Sequence, residues 1–100
     1  MEITTQTEGD RAVITLNGRF DFHGHRAFRQ AYEQVLAGRV GQIELDLAGV
    51  EYIDSSALGM LLLLKEHASA GNKRISLTGA RETVKTVLQV ANFQKLFDIR

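Results

Sequence analysis

The feature that most constrains the fold of this chain is a repeated change in the spacing of its apolar residues. Two-residue alternation is typical of half-buried strands, and recurrence every three or four residues is typical of amphipathic helices. Alternation predicts strands at Glu2–Thr7, Arg11–Leu16, Gln42–Leu47, Arg74–Thr78 and Leu96–Ile99. Helical spacing predicts helices at Gly24–Ala37, Ser55–Ala70 and Arg81–Val90. The order ββαβαβαβ predicts an α/β fold, a small mixed sheet of about four to five strands flanked by about three helices.

Glycine provides most of the turn signals, because the chain has no proline. Gly9-Asp10 separates the first two strands in the manner of a hairpin turn. Gly38 is placed to end the first helix, and Gly71-Asn72 to end the second. The second helix has a nearly continuous apolar face, which predicts that it is deeply buried.

Length and charge restrict the classes of function. The 100 residues fit one domain, spanning 1–100. Twelve Lys and Arg balance twelve Asp and Glu, whereas a nucleic-acid binder has a basic surplus and an interfacial membrane segment is cationic. The absence of Cys excludes disulfides, thiol catalysis and Cys-ligated zinc.

The start of the chain and its longest apolar run indicate the compartment. Met1-Glu2-Ile3 does not begin a signal peptide. The apolar run from Ala57 to Leu64 is shorter than the roughly 20 residues needed to span a bilayer. We therefore expect a cytoplasmic domain with no nucleic-acid partner and no direct membrane insertion.

The sharpest local feature is Asp54-Ser55-Ser56, where a strand ends and a helix begins. The first turn of a helix has unpaired N–H groups and the positive end of the helix dipole, so an oxyanion is stabilised there. An ordinary N-cap also explains a Ser or Asp at this position. A single cap needs one such side chain, however, and this turn has three in a row.

The segment Phe20–Arg26 contains a His-x-His pair beside Asp21. It could be read as a metal site, but no fourth ligand accompanies it, so we expect no metal. An ordinary helix entry explains it better, with Asp21 as the cap and Phe20 or Phe22 packed inward.

No set of residues indicates catalysis, so we expect neither an enzyme nor a cofactor. Asp46 and Asp54 lack an accompanying base and nucleophile. His67 lies about 18 Å along the same helix from Ser55, at 1.5 Å per residue. Lys73-Arg74 is an isolated basic pair, which we expect to be a solvated edge with no phosphate-binding patch around it.

The residues Asp54-Ser55-Ser56-Ala57-Leu58-Gly59, followed by an apolar helix, resemble the phosphorylation motif of anti-sigma factor antagonists, the STAS domain family. The similarity extends over nearly the whole chain. Gly18-Arg19-Phe20-Asp21 resembles the family's Gly-x-x-Asp turn, Ile43–Leu47 its central strand, and Val84–Phe97 its closing segment.

The resemblance implies a STAS-like fold and a switch. It implies that the unphosphorylated chain binds an anti-sigma factor that is also a serine kinase, that phosphorylation at Ser55 releases it, and that a PPM-type serine phosphatase restores it. Ser56 is the alternative acceptor. The partner-binding residues implied are Asp21, His23, Asp54, Ser55, Ser56, Leu58 and Gly59.

The sequence departs from the family pattern at two places, and the resemblance also allows one alternative function. Ala57 stands where many members have Gly, and the sequence stops after the last strand, where many relatives carry a further helix. A contact or dimer formed through that helix is therefore not implied here. The alternative function is a STAS-type structural or regulatory subunit of a transporter or larger signalling assembly.

Overall fold

Five strands form one mixed sheet, and three helices accompany it, in a computed structural model that describes all 100 residues. The strands are β1 (Glu2–Glu8), β2 (Arg11–Phe20), β3 (Gln42–Ile53), β4 (Arg74–Thr78) and β5 (Asp98–Ile99). The helices are α1 (His25–Ala37), α2 (Ser55–Ala70) and α3 (Glu82–Val90), with single 3₁₀ turns at Phe22–Gly24 and Phe93–Lys95. The predicted α/β fold is confirmed.

The strands lie side by side in their order along the chain, β1-β2-β3-β4-β5. β1 pairs antiparallel with β2, and every later pair is parallel. In the β2–β3 pair, Phe20 lies opposite Ile53. The segments after these two strands therefore emerge at the same edge of the sheet.

The core lies between one face of the sheet and the helices. The inward residues of β3 are Ile43, Leu45 and Leu47, all buried, while Glu44 and Asp46 point to the opposite, partly exposed face. This alternation was predicted from the sequence. The helices contribute Phe28, Tyr32 and Val35 from α1, Met60, Leu61, Leu64 and Ala68 from α2, and Val84 and Leu88 from α3.

β1 runs one residue further than predicted, to Glu8, and two other strands are much longer than their patterns predict. β2 continues to Phe20, and β3 is continuous to Ile53. Their register shifts near Asn17 and Gly18, where Gly18 has a φ of +103° that a side chain rarely adopts. A Cβ on Gly49 would collide with the amide of Asn17. These irregularities break the alternation on which the strand prediction rested. Gly18, Arg19 and Phe20, predicted to belong to a turn, are the last residues of β2, and the turn begins at Asp21.

The prediction that α2 is deeply buried was wrong for part of the helix. Leu62 and Leu63 remain 42% and 45% exposed. One face of α2 packs into the core, and no other element covers its outer face. The final strand is also shorter than predicted, because the chain makes a 3₁₀ turn at Phe93–Lys95 and leaves Leu96 exposed before β5 begins.

Candidate functional site

The candidate site is formed by the two turns at the ends of β2 and β3. The backbone N–H of Asp54 donates to the carbonyl of Phe20 at 3.3 Å, which joins the end of β3 to the end of β2. Asp21 and Asp54, the first residues after these strands, both have extended backbones. The fold thus brings together two turns that are 33 residues apart in the sequence.

Asp54 caps α2. Its Oδ1 accepts a hydrogen bond from the backbone N–H of Ala57 at 2.8 Å and a second from the Ser56 hydroxyl at 2.7 Å. The first bond satisfies one of the N–H groups that the first turn of a helix leaves unpaired. The capping function that the sequence allowed for this tripeptide is therefore carried out by Asp54.

The ionisation of Asp54 is set by these contacts. Burial acts to raise the pKa of the carboxyl group, but the hydrogen bonds from the Ala57 N–H and the Ser56 hydroxyl outweigh it. The backbone N–H groups of Phe22 and Ser56 act in the same direction, so the pKa of Asp54 lies below its ordinary value. The site holds a fixed negative charge at neutral pH.

The two serines have different surroundings. Ser56 is half-buried, and its hydroxyl proton is directed at the Asp54 carboxylate. Ser55 is the first residue of α2, is exposed, and makes no side-chain hydrogen bond. Only the Ser55 hydroxyl is free to react or to contact another molecule without breaking an internal hydrogen bond.

The neighbouring turn is held by Asp21. Its Oδ1 accepts a hydrogen bond from the backbone N–H of His23 at 3.0 Å and lies 3.4 Å from the His23 ring nitrogen Nδ1. Arg19 Nε lies 3.7 Å from the other carboxylate oxygen. Asp21 is a cap, as predicted, but it caps the 3₁₀ turn Phe22–Gly24 and not α1 itself. The His23 side chain is 92% exposed beside it.

Two exposed aromatic side chains accompany these turns. Phe22 is 69% exposed, so of the two phenylalanines named for the helix entry only Phe20 packs inward. Tyr52 is 42% exposed, with the Arg19 guanidinium 4.1 Å above its ring. Sequence reasoning missed Tyr52 and Arg19 as site residues, although both lie opposite each other just before the turns. Along α2, Leu58 is half-buried and Gly59 is exposed.

The other polar residues named from the sequence lie apart from this site. His67 lies near the C-terminal end of α2, with its ring 6.2 Å from that of Tyr32. Asp46 Oδ1 accepts a hydrogen bond from the N–H of Ala48 at 3.0 Å, a local contact within β3. No three His, Asp or Glu side chains are placed to share a metal ion. None of the helices is long and apolar enough to cross a membrane.

Comparisons with known proteins identify related chains. A family model described as "Mlab, STAS domain" matches residues 3–98. A STAS-domain containing protein of Pseudomonas aeruginosa is 46% identical over 92 residues, which cover 92% of this chain and 90% of the relative.

Two solved structures share the fold. The anti-sigma factor antagonist SpoIIAA in its unphosphorylated form matches 99% of this chain and 88% of its own, with a TM-score of 0.83 and 21% identity. The Bacillus cell fate determinant SpoIIAA in the phosphorylated form matches 99% of this chain and 91% of its own, with a TM-score of 0.77 and 21% identity.

Proposed function

The chain belongs to the STAS domain family, and on that basis we propose that it is an anti-sigma factor antagonist switched by phosphorylation of Ser55. In this role it is a binding protein without catalytic activity or cofactor. Unphosphorylated, it binds an anti-sigma factor that is also a serine kinase; phosphorylated, it is released. The observation that carries the proposal is the free, exposed hydroxyl of Ser55 at the start of a capped helix.

The local geometry favours Ser55 over Ser56 as the phosphate acceptor. A kinase must bring the acceptor oxygen in line with the γ-phosphoryl group of ATP and remove the hydroxyl proton. Ser55 can be reached without any change in the helix start. Ser56 would first have to give up its 2.7 Å hydrogen bond to Asp54, and its side chain is half-buried.

The N-terminus of α2 can hold the phosphate once it is attached. The free N–H groups and the helix dipole at this end favour an anion. The modified chain therefore keeps its fold, which is consistent with the comparison structure of SpoIIAA in a phosphorylated form. We expect no rearrangement of the domain on phosphorylation.

Release is explained by charge at the interface. A phosphate adds about −1.5 to −2 charges, directly beside an Asp54 carboxylate that is already ionised. A partner surface that buries a neutral hydroxyl beside that carboxylate must desolvate the added charge and tolerate the like charges together. Binding is lost because the complex becomes unfavourable, while the free domain is unaffected.

The partner-binding surface comprises the residues named from the sequence and two aromatic neighbours. Exposed aromatic side chains surrounded by polar groups are typical anchors in protein interfaces. Phe22 and Tyr52 fit this description, and they flank the residues Asp21, His23, Asp54, Ser55, Ser56, Leu58 and Gly59. The exposure of Ser55 also leaves a phosphate there accessible to a PPM-type serine phosphatase, which would reset the switch.

Phosphopeptide mass spectrometry on the chain isolated from its native cells tests the acceptor. We expect phosphate on Ser55, its loss in Ser55→Ala, and its retention in the matched variant Ser56→Ala. Phosphate on Ser56 alone would overturn the assignment. Absence of phosphate under all growth conditions would overturn the switch.

One observation favours a second candidate function, a structural or regulatory subunit of a transporter or larger signalling assembly. Leu62 and Leu63 leave an apolar strip exposed on α2, one to two turns beyond the first helical turn. Leu62 lies seven residues from Ser55 on the same face of α2, about 10 Å away, so the response of the complex to phosphorylation is what separates this function from the switch. A stoichiometric complex that survives phosphorylation and is lost in Leu62→Ser would favour this function.

A further inference from the structure

A groove lies at the opposite end of the parallel strands, where β2, β3 and β4 begin. Its volume is about 340 Å³. Five basic side chains line it, Arg11, Lys65, Lys73, Arg74 and Arg100. The expectation that Lys73-Arg74 has no basic neighbours was therefore wrong, because folding brings cations from β2, α2 and the C-terminus to the same place.

Positively charged side chains are concentrated in the groove. The groove holds five of the chain's twelve Lys and Arg but only two of its twelve Asp and Glu, Glu44 and Asp98. Counting side chains alone, five cations against two carboxylates give an excess of +3 among the lining residues, and seven cations against ten carboxylates give −3 among the other residues. A concave surface with a net excess of one sign concentrates its field and attracts ions of the opposite sign.

The two carboxylates neutralise only two of the five cations. Arg11 pairs with Glu44 at 3.3 Å, and Arg100 pairs with Asp98 at 2.7 Å. Lys65 and Arg74 make neither a salt bridge nor a side-chain hydrogen bond to the rest of the chain. Their donors are free for a ligand.

The third unpaired cation, Lys73, is held in place. Its Nζ donates to the carbonyl of Val40 at 2.6 Å and to that of Gly38 at 3.0 Å, so the ammonium is fixed although no carboxylate neutralises it. It was expected to be a solvated side chain, but it ties β4 to the end of α1. A fixed charge loses little conformational entropy when it binds an anion.

The wall of the groove is open at one side and supplies further donors. β5 pairs only with Ser76 and Leu77, so the outer edge of β4 beside Arg74 and Ile75 has no neighbouring strand. Ser69 and Ser76 line the same groove. The site therefore combines cations with hydroxyl donors, as in sites that bind phosphate oxygens.

We propose that this groove binds a small, soluble, phosphate-bearing anion with at least two negative charges. An excess of three positive charges matches such an anion better than a monocarboxylate. The forked guanidinium of Arg74 suits phosphate oxygens, and the Lys65 and Lys73 ammonium groups add point charges. Lys65 lies ten residues along α2 from Ser55, about 15 Å, so the groove is separate from the Ser55 site and the inference does not rest on phosphorylation.

Titration calorimetry on the full, unphosphorylated chain, with pyrophosphate and inorganic phosphate as probes, tests the proposal. We expect saturable binding, with pyrophosphate about tenfold tighter than inorganic phosphate because it offers more charge to the same cations. Amide NMR shifts on adding pyrophosphate should be confined to the groove, including Lys65, Arg74 and Ser76. The proposal would be overturned if pyrophosphate binding did not saturate, or if sodium chloride at the same ionic strength produced the same binding signal.

Charge-matched variants separate a site from a general effect of charge. In Lys65→Ala/Arg74→Ala we expect pyrophosphate binding to weaken by more than about tenfold. The control Arg26→Ala/Lys85→Ala removes the same charge from α1 and α3, outside the groove, and should change the affinity less than about twofold. Equal losses in both variants would overturn the proposal.

A vesicle-binding experiment distinguishes a soluble phosphate ligand from a lipid headgroup. Binding to vesicles of phosphatidylglycerol and phosphatidylcholine is measured by co-sedimentation, with and without pyrophosphate. We expect no vesicle binding under conditions that give saturable pyrophosphate binding. Vesicle binding without pyrophosphate binding would overturn the soluble ligand.

Discussion

The turns after β2 and β3 begin alike and have different consequences. Each opens with an aspartate in extended conformation whose carboxylate accepts a backbone N–H two or three residues later. Asp54 caps a helix of 16 residues, whereas Asp21 caps a single 3₁₀ turn, and α1, which starts at His25, has Gly24 as its N-cap residue and therefore no side-chain cap. The same residue type at the same edge of the sheet thus starts a long helix after β3 and only a single 3₁₀ turn after β2.

The difference lies in the residues next to each aspartate. After Asp54, Ser56 adds a second hydrogen bond to the carboxylate, and Ser55 is left exposed on a fixed helical turn. After Asp21, the His23 N–H donates to the carboxylate and the Gly24 N–H to the Asp21 carbonyl, while the side chains of Phe22 and His23 remain highly exposed. We infer that the first turn presents the modifiable group and that the second contributes adaptable contacts to the partner.

The largest expected effect comes from charge at Ser55. Ser55→Asp should weaken binding to the anti-sigma factor/serine kinase by at least about tenfold, since it places a second negative charge beside Asp54. Ser55→Ala should bind as the unphosphorylated chain does and should not be released when kinase and ATP are added. Surface plasmon resonance on the purified pair measures both. If Ser55→Asp bound as tightly as the wild type, the electrostatic account of release would be wrong.

Loss of the α2 cap should have the next largest effect. Asp54→Ala should lower the free energy of unfolding by about 1–2 kcal/mol, because it leaves the Ala57 N–H and the Ser56 hydroxyl without their acceptor. Urea denaturation monitored by circular dichroism measures it. Asp54→Asn is the matched control, since an amide oxygen can still cap the helix, and it should lose less stability. Equal losses in both variants would assign the effect to charge and not to capping.

The same truncation at the other turn should cost less. Asp21→Ala should lower the free energy of unfolding by about 0.5 kcal/mol, because one exposed backbone N–H loses its acceptor and no long helix depends on it. The amide of His23 should exchange faster with solvent, while that of Ala57 should not. A loss as large as that of Asp54→Ala would contradict the distinction between the two turns.

The smallest effect is a pH dependence that belongs to the α2 cap. The pKa of Asp54 is lowered in the folded state. Its ionised form therefore contributes stability that is complete above about pH 4, the ordinary value for Asp, and is lost as the pH falls through the lower native pKa. The stability difference between wild type and Asp54→Asn should be constant from pH 7 to 5 and shrink below about pH 4.

Two results would contradict this sign. A difference that shrank between pH 7 and 5 would mean that the pKa of Asp54 is raised. A difference that persisted unchanged to pH 3 would mean that the carboxylate does not contribute through its charge. Ser56→Ala sharpens the measurement, because removing that hydroxyl donor should move the pKa of Asp54 back towards its ordinary value.

Much of the fold could be predicted because hydrophobic spacing reports directly on buried faces. The alternation of Ile43, Leu45 and Leu47 predicted one inward face of β3, and the structure confirms it. Prediction of buried faces from spacing failed where the same spacing is compatible with both a buried and an exposed residue. An apolar residue such as Leu62 satisfies helical spacing whether or not a neighbour covers it, so its exposure could not be read from spacing.

The site was partly predictable for a related reason. Asp54-Ser55-Ser56 is contiguous, so its capping chemistry can be read locally. The choice between Ser55 and Ser56 depends on which way each hydroxyl points. In the structure Ser56 donates its hydroxyl to Asp54 and Ser55 has no such partner. The residue types alone do not say which of the two adjacent serines makes that bond.

By itself the sequence determined the order of elements, the inward faces and the position of the capped turn, because these depend on residues close together in the chain. Only the tertiary structure decided which distant residues meet. It placed the turn of Asp21 beside that of Asp54 through parallel pairing of β2 and β3. It also gathered cations of a chain with zero formal charge into one groove. Contacts over such separations depend on strand order and register, which local spacing does not specify.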